Sequence, residues 1–307
     1  MNDLVKNIIG PQSPSDKTEL IKRMRLHQGW YRAFVLNQES GTHPKNKTET
    51  ICSSINNGKQ SGSNFIDDYA IKAVEETFST RRDGAKGMID EYRLYNNLLS
   101  SQPLCFNFFG RLKYNKQLAS KLISQFFPVV KEVTEVLFEF APNASNNGDN
   151  SAHDIAIEFI DKDGENGLIG MECKYTENFS QEEYDKPSYR KAYADSKAFS
   201  AAYEELIKKE YNQLFRNQLI AETALLNKKY YTVYGGLFCF ENDGNALTKG
   251  ASFQNMIVNG HERFKVITFQ NFIETLQQLS LDWETREWTM KLWTRYTATT
   301  LSNKNYI

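Results

Sequence analysis

The sequence predicts an α/β fold: a mixed β-sheet core flanked by helices, entered through an N-terminal helical extension. Three observations carry that prediction. As far as Phe127 the apolar residues recur mostly at helical spacing. From Val133 to Tyr175 three apolar runs are separated by turn residues, the pattern of successive strands. Beyond a long helical stretch, two further β-branched and aromatic runs lie among helices, which makes an α/β arrangement with a mixed sheet.

Taken in order, Leu20 to Leu36 is predicted as a helix rich in Lys22, Arg23, Arg25 and Arg32, with Trp30 and Phe34 available for packing. Gln38 to Ser63 has the composition of a mobile loop, full of Asn, Ser, Gly, Thr and Lys. It reads as an excursion within the helical region. Phe65 to Phe78 carries Ile66, Tyr69, Ala70, Ala73 and Val74 at helical spacing. Arg82-Asp83-Gly84 is a turn, Gly87 to Leu99 a helix, Leu104 to Leu112 an apolar and aromatic segment, and Leu118 to Phe127 a short helix stopped by Pro128. Residues 1–115 form the N-terminal helical region in this reading, packed on a core of residues 116–307.

Val133 to Phe140 is the first predicted strand, followed by the turn-rich run Asn143 to Asn150. His153 to Ile160 and Leu168 to Tyr175 are the next two, joined by a turn holding Gly164 and Gly167. A polar loop with Pro187 leads to a long helix from Tyr189 to Leu226, broken at most once. Tyr230 to Phe240 and Phe264 to Phe269 are strands, and closing helices offer Trp283, Trp288, Leu292 and Trp293 as core.

Composition narrows the function classes. Hydrophobic residues at 40% and charged residues at 24% suit a folded globular chain. No apolar run reaches the length of a membrane span, and Met1 to Lys6 lacks a secretory signal, so a cytoplasmic location without a membrane partner is the expectation. Cys52, Cys105, Cys173 and Cys239 form no Cys-x-x-Cys pair, which argues against a disulfide framework and against zinc sites of the common spacing. The net charge of −1 weighs mildly against a nucleic-acid binder, although a metal ion and a local groove can supply positive potential.

The chemistry concentrates on the predicted hairpin. Glu172 and Lys174 project from one strand face, while Met171, Cys173 and Tyr175 take the other. On the preceding strand Asp154, Ala156 and Glu158 share a face opposite Ile155, Ile157 and Phe159. If Asp154 lies opposite Glu172, the pairing centres on Asp163, inside the Asp163-Gly164 turn, so an antiparallel hairpin brings Asp154 to Glu172 and Lys174. Two carboxylates and an amine can hold Mg²⁺, orient a water and stabilise charge on a phosphate.

Asp154 with Glu172-Cys173-Lys174 on a hairpin resembles the PD-(D/E)xK nuclease superfamily, the fold of many restriction endonucleases. The shared helix, three strands, helix, strand order spans Leu118 to Phe240. Asn97 to Gln102, Cys105-Phe106-Asn107 and Gly170 to Glu177 are similar to a bacterial branch of restriction endonucleases within it. His153 stands where the motif's proline would be. The resemblance implies that Asp154, Glu172 and the backbone carbonyl of Cys173 ligate Mg²⁺, with Mn²⁺ as a substitute, and that Lys174 assists the attacking water. It further implies an additional acid from earlier in the chain, with Glu139 and Glu91 as candidates.

Arg216 and Gln218, on the helix that packs beside the site in this fold, are candidates for phosphate contact, as is His153. Each has a plain alternative, a solvated helix face for the first two and a surface or core histidine for the third. Arg23, Arg25 and Arg32 read better as charge displayed to water than as a backbone-tracking stripe. Asp195-Ser196-Lys197 repeats the motif spacing but falls on a predicted helix, where residues two apart do not share a face. The expectation is a DNA-cutting endonuclease, with a homodimer as the arrangement for double-strand cutting. A nuclease-fold protein that binds nucleic acid or a protein without cutting, and a small-molecule phosphohydrolase, are the alternatives.

Overall fold

Five apolar segments build one mixed sheet in which every strand neighbours the next in sequence. They are β1 (Val130–Phe140), β2 (His153–Asp161), β3 (Asn166–Lys174), β4 (Thr232–Cys239) and β5 (Phe264–Thr268). Pairing is antiparallel from β1 to β3 and parallel from β3 to β5. A hairpin closes the β2–β3 pair, with Gly164 at φ +91° in the turn, a conformation that favours glycine. The parallel pairs require crossovers, which helices supply. The computed structural model describes residues 3–44, 46, 48–81, 87–142 and 151–303. The expected turn at Arg82-Asp83-Gly84 and the run Asn143 to Asn150 lie outside the described residues.

Helices cover both faces of the sheet. On one side lie α3 (Ser101–Tyr114) and α4 (Lys116–Phe126) with the C-terminal helices α6 (Phe269–Gln277) and α7 (Trp283–Leu292). Phe106 stacks on Phe138 with ring centroids 4.3 Å apart, and Phe109 meets Phe238 at 5.2 Å. Residues from Met24 to Tyr296 thus share one core, to which each fully buried aromatic contributes roughly 1.5–3 kcal/mol. On the other side lies α5 (Asn212–Leu226), whose Ala221 and Ala224 pack with Ala156, Leu168 and Val233. The described N-terminal helices include α1 (Glu19–Phe34) and α2 (Asp68–Thr80), capped by Thr18 and Asp67 respectively.

Several expectations need correction. The stretch 189–226 is three helices rather than one broken once, namely Pro187–Ser196, Tyr203–Leu206 and α5. Lys197 turns left-handed, and Phe199 bridges to Ile257 while stacking on Tyr193, so tertiary pairing pulls the chain out of the helix. The helix expected from Gly87 to Leu99 shortens to Glu91–Asn96, started by the Asp90 cap. The described residues of the polar run Gln38 to Ser63 are structured: Gly41–Thr42 pairs with Thr50–Ile51, a turn of helix covers Gly58–Ser61, and Cys52 to Ile55 are buried.

The arginines of α1 explain that ordering. Arg32 donates to the carbonyls of Cys52, Ile8, Ile9 and Gln38, and Arg25 pairs with Asp16 and Ser53. Arg23 binds Ser302 and the carbonyl of Thr299. These cations are structural clamps between chain segments, neither displayed to water nor free to follow a nucleic-acid backbone. The tryptophans divide similarly: Trp288 is buried, whereas Trp283 is 78% and Trp293 38% exposed. Positions five apart on a helix are rotated by about 140°, so the three cannot share a buried face.

Among the described residues no helix is long and apolar enough to cross a membrane. Helices α2 and α3 cross closely at Gly110, where a Cβ would stand 2.8 Å from the Ala70 Cα. Gly110→Ala is therefore expected to lower stability by about 1–3 kcal/mol through overpacking of α3 on α2, measured by urea unfolding. An unchanged midpoint would show that the two helices part without cost.

Candidate active site

Strand register assembles the site. Ile155 pairs with Met171, which sets Asp154 level with Glu172, as the hairpin arithmetic predicted. The pairs Phe138–Ile155 and Phe140–His153 set Glu139 level with Asp154 on the other side. Glu139, Asp154 and Glu172 thus form one row across β1, β2 and β3. Glu139 adopts φ +45°, an uncommon conformation for a side chain of its size.

Lys174, two residues beyond Glu172 on the same strand face, places Nζ 2.9 Å from Glu172 Oε1. Both side chains are nearly enclosed, Glu172 at 5% and Lys174 at 7% exposure. Helix α5 closes that face. Gln213 Nε2 donates to Glu172 Oε1 and Asn217 Nδ2 to Glu172 Oε2, each at 2.5 Å, and Lys174 Nζ donates to Gln213 Oε1 at 3.1 Å. The Phe179 ring lies 5.1 Å from the same ammonium. Asp154 Oδ2 accepts the backbone N–H of Cys173 at 2.7 Å, which locks the carboxylate across the hairpin.

The electrostatics are lopsided. Burial, then the nearby Glu172 and Glu139, drives the Asp154 carboxyl well above its ordinary range. Glu139 is pushed up to about 7 by burial, with Arg81 opposing and Glu172 reinforcing the rise. Burial works against the Lys174 ammonium, but Glu172 beside it outweighs that penalty and holds its pKa above the ordinary lysine value. One lysine therefore faces a row of three acids, an arrangement that favours a further cation.

The remaining candidates separate from this row. Glu91 is exposed and paired with Lys59 at 2.7 Å, away from the row, whereas Glu139 lies within it. His153 is fully buried, has no hydrogen-bond partner among the described residues, and packs its ring where a Gly170 Cβ would stand. Burial lowers its pKa to about 4, so at neutral pH it is uncharged and off the surface, unsuited to meet phosphate. Gln218 is likewise buried, donating to Glu222, which is ion-paired with Arg263. Arg216 donates to Ser151 Oγ at 2.6 Å and lies over the Tyr184 ring at 4.5 Å. On α5, Gln213 and Asn217 occupy the site-facing i, i+4 positions, and Gln218 is rotated about 100° away. Sequence reasoning missed both amides. Their signal was a polar i, i+4 pair among Leu214, Phe215, Leu219 and Ile220, all of which are buried.

A family model described as the PD-(D/E)XK nuclease superfamily matches residues 14–298. The chain belongs to that superfamily. No curated protein and no solved structure matches significantly. The five-stranded mixed sheet flanked by helices is the expected fold, and membership implies metal-dependent nuclease chemistry on nucleic acid.

The raised Glu139 pKa has a definite sign. The folded protein holds a proton that the unfolded chain releases above its ordinary value of 4.5. The associated stability is complete below that value and is lost as pH rises through about 7. In a chelating buffer, Glu139→Gln should gain melting temperature relative to wild type as pH rises from about 4.5 to 7, and the difference should level off above that. A constant difference across that range would mean that Glu139 ionises freely in the fold.

Proposed function

We propose that this chain is an endonuclease that hydrolyses phosphodiester bonds, with DNA as the substrate and Mg²⁺ as the working ion. The observation that carries the reading is the convergence of Asp154, Glu172 and Lys174 beside the Glu139 carboxyl. The donor set fits a hard divalent ion: carboxylate oxygens, and the Cys173 backbone carbonyl between the two motif residues. Asp154, Glu172 and that carbonyl would hold Mg²⁺, with Glu139 as the additional acid and Mn²⁺ as a substitute. When bound, the ion supplies polarisation of a phosphoryl oxygen and a more acidic water.

The residues of the chain do the rest. Gln213 and Asn217 hold both oxygens of Glu172 and fix its orientation. Lys174 remains an ammonium at neutral pH and is steered by Glu172 and Gln213, so it can orient the attacking water or meet charge growing on the phosphate. The retained acids and lysine oppose the binding-only alternative, since loss of any one would disable this chemistry. A cytoplasmic restriction or repair role accords with the family, and a homodimer would present two such sites to opposite strands.

Wild type, Glu172→Ala and Lys174→Ala incubated with plasmid DNA, RNA and free nucleotides, with and without Mg²⁺ or Mn²⁺, test the proposal. Wild type should cut DNA only with metal, Glu172→Ala should be inactive, and Lys174→Ala should be slower by about 10²–10³-fold. Equal products from all three proteins would end the assignment, and hydrolysis of nucleotides alone would favour the phosphohydrolase. Asn217→Ala, with Glu172 left half-clamped, should lower kcat about tenfold or more while leaving DNA binding unchanged. A matching loss of affinity would instead assign Asn217 to substrate binding.

A further inference from the structure

Behind the acidic row lies a second group of ligand atoms. Cys105 on α3 and Cys173 on β3 both turn into the core face of the sheet, and each is buried. An oxygen of Asp154 completes a triangle in which Cys105 Sγ, Cys173 Sγ and the carboxylate oxygen all lie within 4.8 Å of one another. In tetrahedral zinc coordination, Zn–S bonds of about 2.3 Å set ligand atoms roughly 3.8 Å apart, so only a small contraction separates the triangle from a zinc set. Spacing along the chain hid this group, because its members stand 49 and 19 residues apart and meet only through packing of α3 against the β2–β3 hairpin.

We propose that Cys105, Cys173 and Asp154 form a binding site for a soft divalent ion of the zinc or cadmium class, separate in chemistry from the hard-ion site. Thiolates select soft ions over Mg²⁺. Loading exchanges two thiol protons for two metal–sulfur bonds, and the Asp154 carboxylate supplies the third bond, any proton it holds leaving to solvent with the other two. A solvent molecule completes the tetrahedron. Asp154 belongs to both sets, so a soft ion draws its carboxylate out of the row with Glu139 and Glu172. Zinc is then an antagonist of Mg²⁺, a consequence that rests on the nuclease reading, whereas binding itself does not.

The test uses the full chain, reduced by a phosphine, with Cd²⁺ as the probe. One equivalent should produce a thiolate-to-cadmium ultraviolet band and a cadmium-113 resonance in the region of two-sulfur coordination, both persisting in excess Mg²⁺. Cys105→Ser should abolish the band and weaken binding by at least the roughly 10–100-fold that even outer-shell losses cost. Cys52→Ser and Cys239→Ser should keep it. An oxygen-only resonance in wild type, or no band while all thiols titrate as free after unfolding, overturns the proposal without any variant. A band that survives Cys105→Ser overturns it as well. For the antagonism, Zn²⁺ should inhibit Mg²⁺-dependent cleavage by wild type and lose at least about tenfold in potency against Cys105→Ser. If wild type cuts nothing, the nuclease reading fails while the spectra still judge the soft-ion site.

Discussion

Antiparallel pairing of β2 with β3 is the constraint on which the site depends. A slip of one residue would turn every side chain of β3 to the opposite face, sending Glu172 and Lys174 into the aromatic core and Cys173 toward α5. Two features hold the register. The turn at Asp161 to Glu165 is closed by Asp161 Oδ1, which accepts the N–H groups of Asp163 and Glu165. At the far end the Cys173 N–H is bound by the Asp154 carboxylate itself. The same contact that fixes the register therefore also orients a proposed metal ligand.

The acids are held in place from outside the hairpin. Helix α5 grips Glu172 by two amides, and the row is extended by Glu139 from β1. A burial this complete would be costly for unpaired charge, so the fold supplies one ammonium and several dipoles and holds the Asp154 and Glu139 carboxyls above their ordinary range. Stability is spent here on poise, which is the usual signature of a functional site. Glu177 adds a link to the helical region. Its carboxylate accepts from Arg93, from the N–H and hydroxyl of Ser101, and from the N–H groups of Tyr175 and Thr176. The start of α3 and the end of β3 thus share one anchor.

That link bears on how the N-terminal helices relate to the sheet. Arg295 donates to Asn64, Asn107 bonds Tyr296, and Gln28 reaches Tyr175 and the Arg295 carbonyl. These buried polar ties join three distant parts of the chain inside a mainly aromatic core. Together they specify one packing where phenylalanines alone would allow several, even though Gln28 Oε1 and Arg295 Nε have no hydrogen-bond partner among the described residues.

Local pattern was sufficient for much of this molecule. Strand alternation distinguished the five strands, and turn position set the β2–β3 register, because both depend on residues close in sequence. The pairing of Asp154 with Glu172 and Lys174 was legible for the same reason. Contacts made over long separations were not. Gln213 and Asn217, the inward clamps of Arg23, Arg25 and Arg32, the order within Gln38 to Ser63 and the exposure of Trp283 all depend on which helix face meets which neighbour. A chain carries its periodicity openly, but the partner of each face is chosen only when the whole core packs.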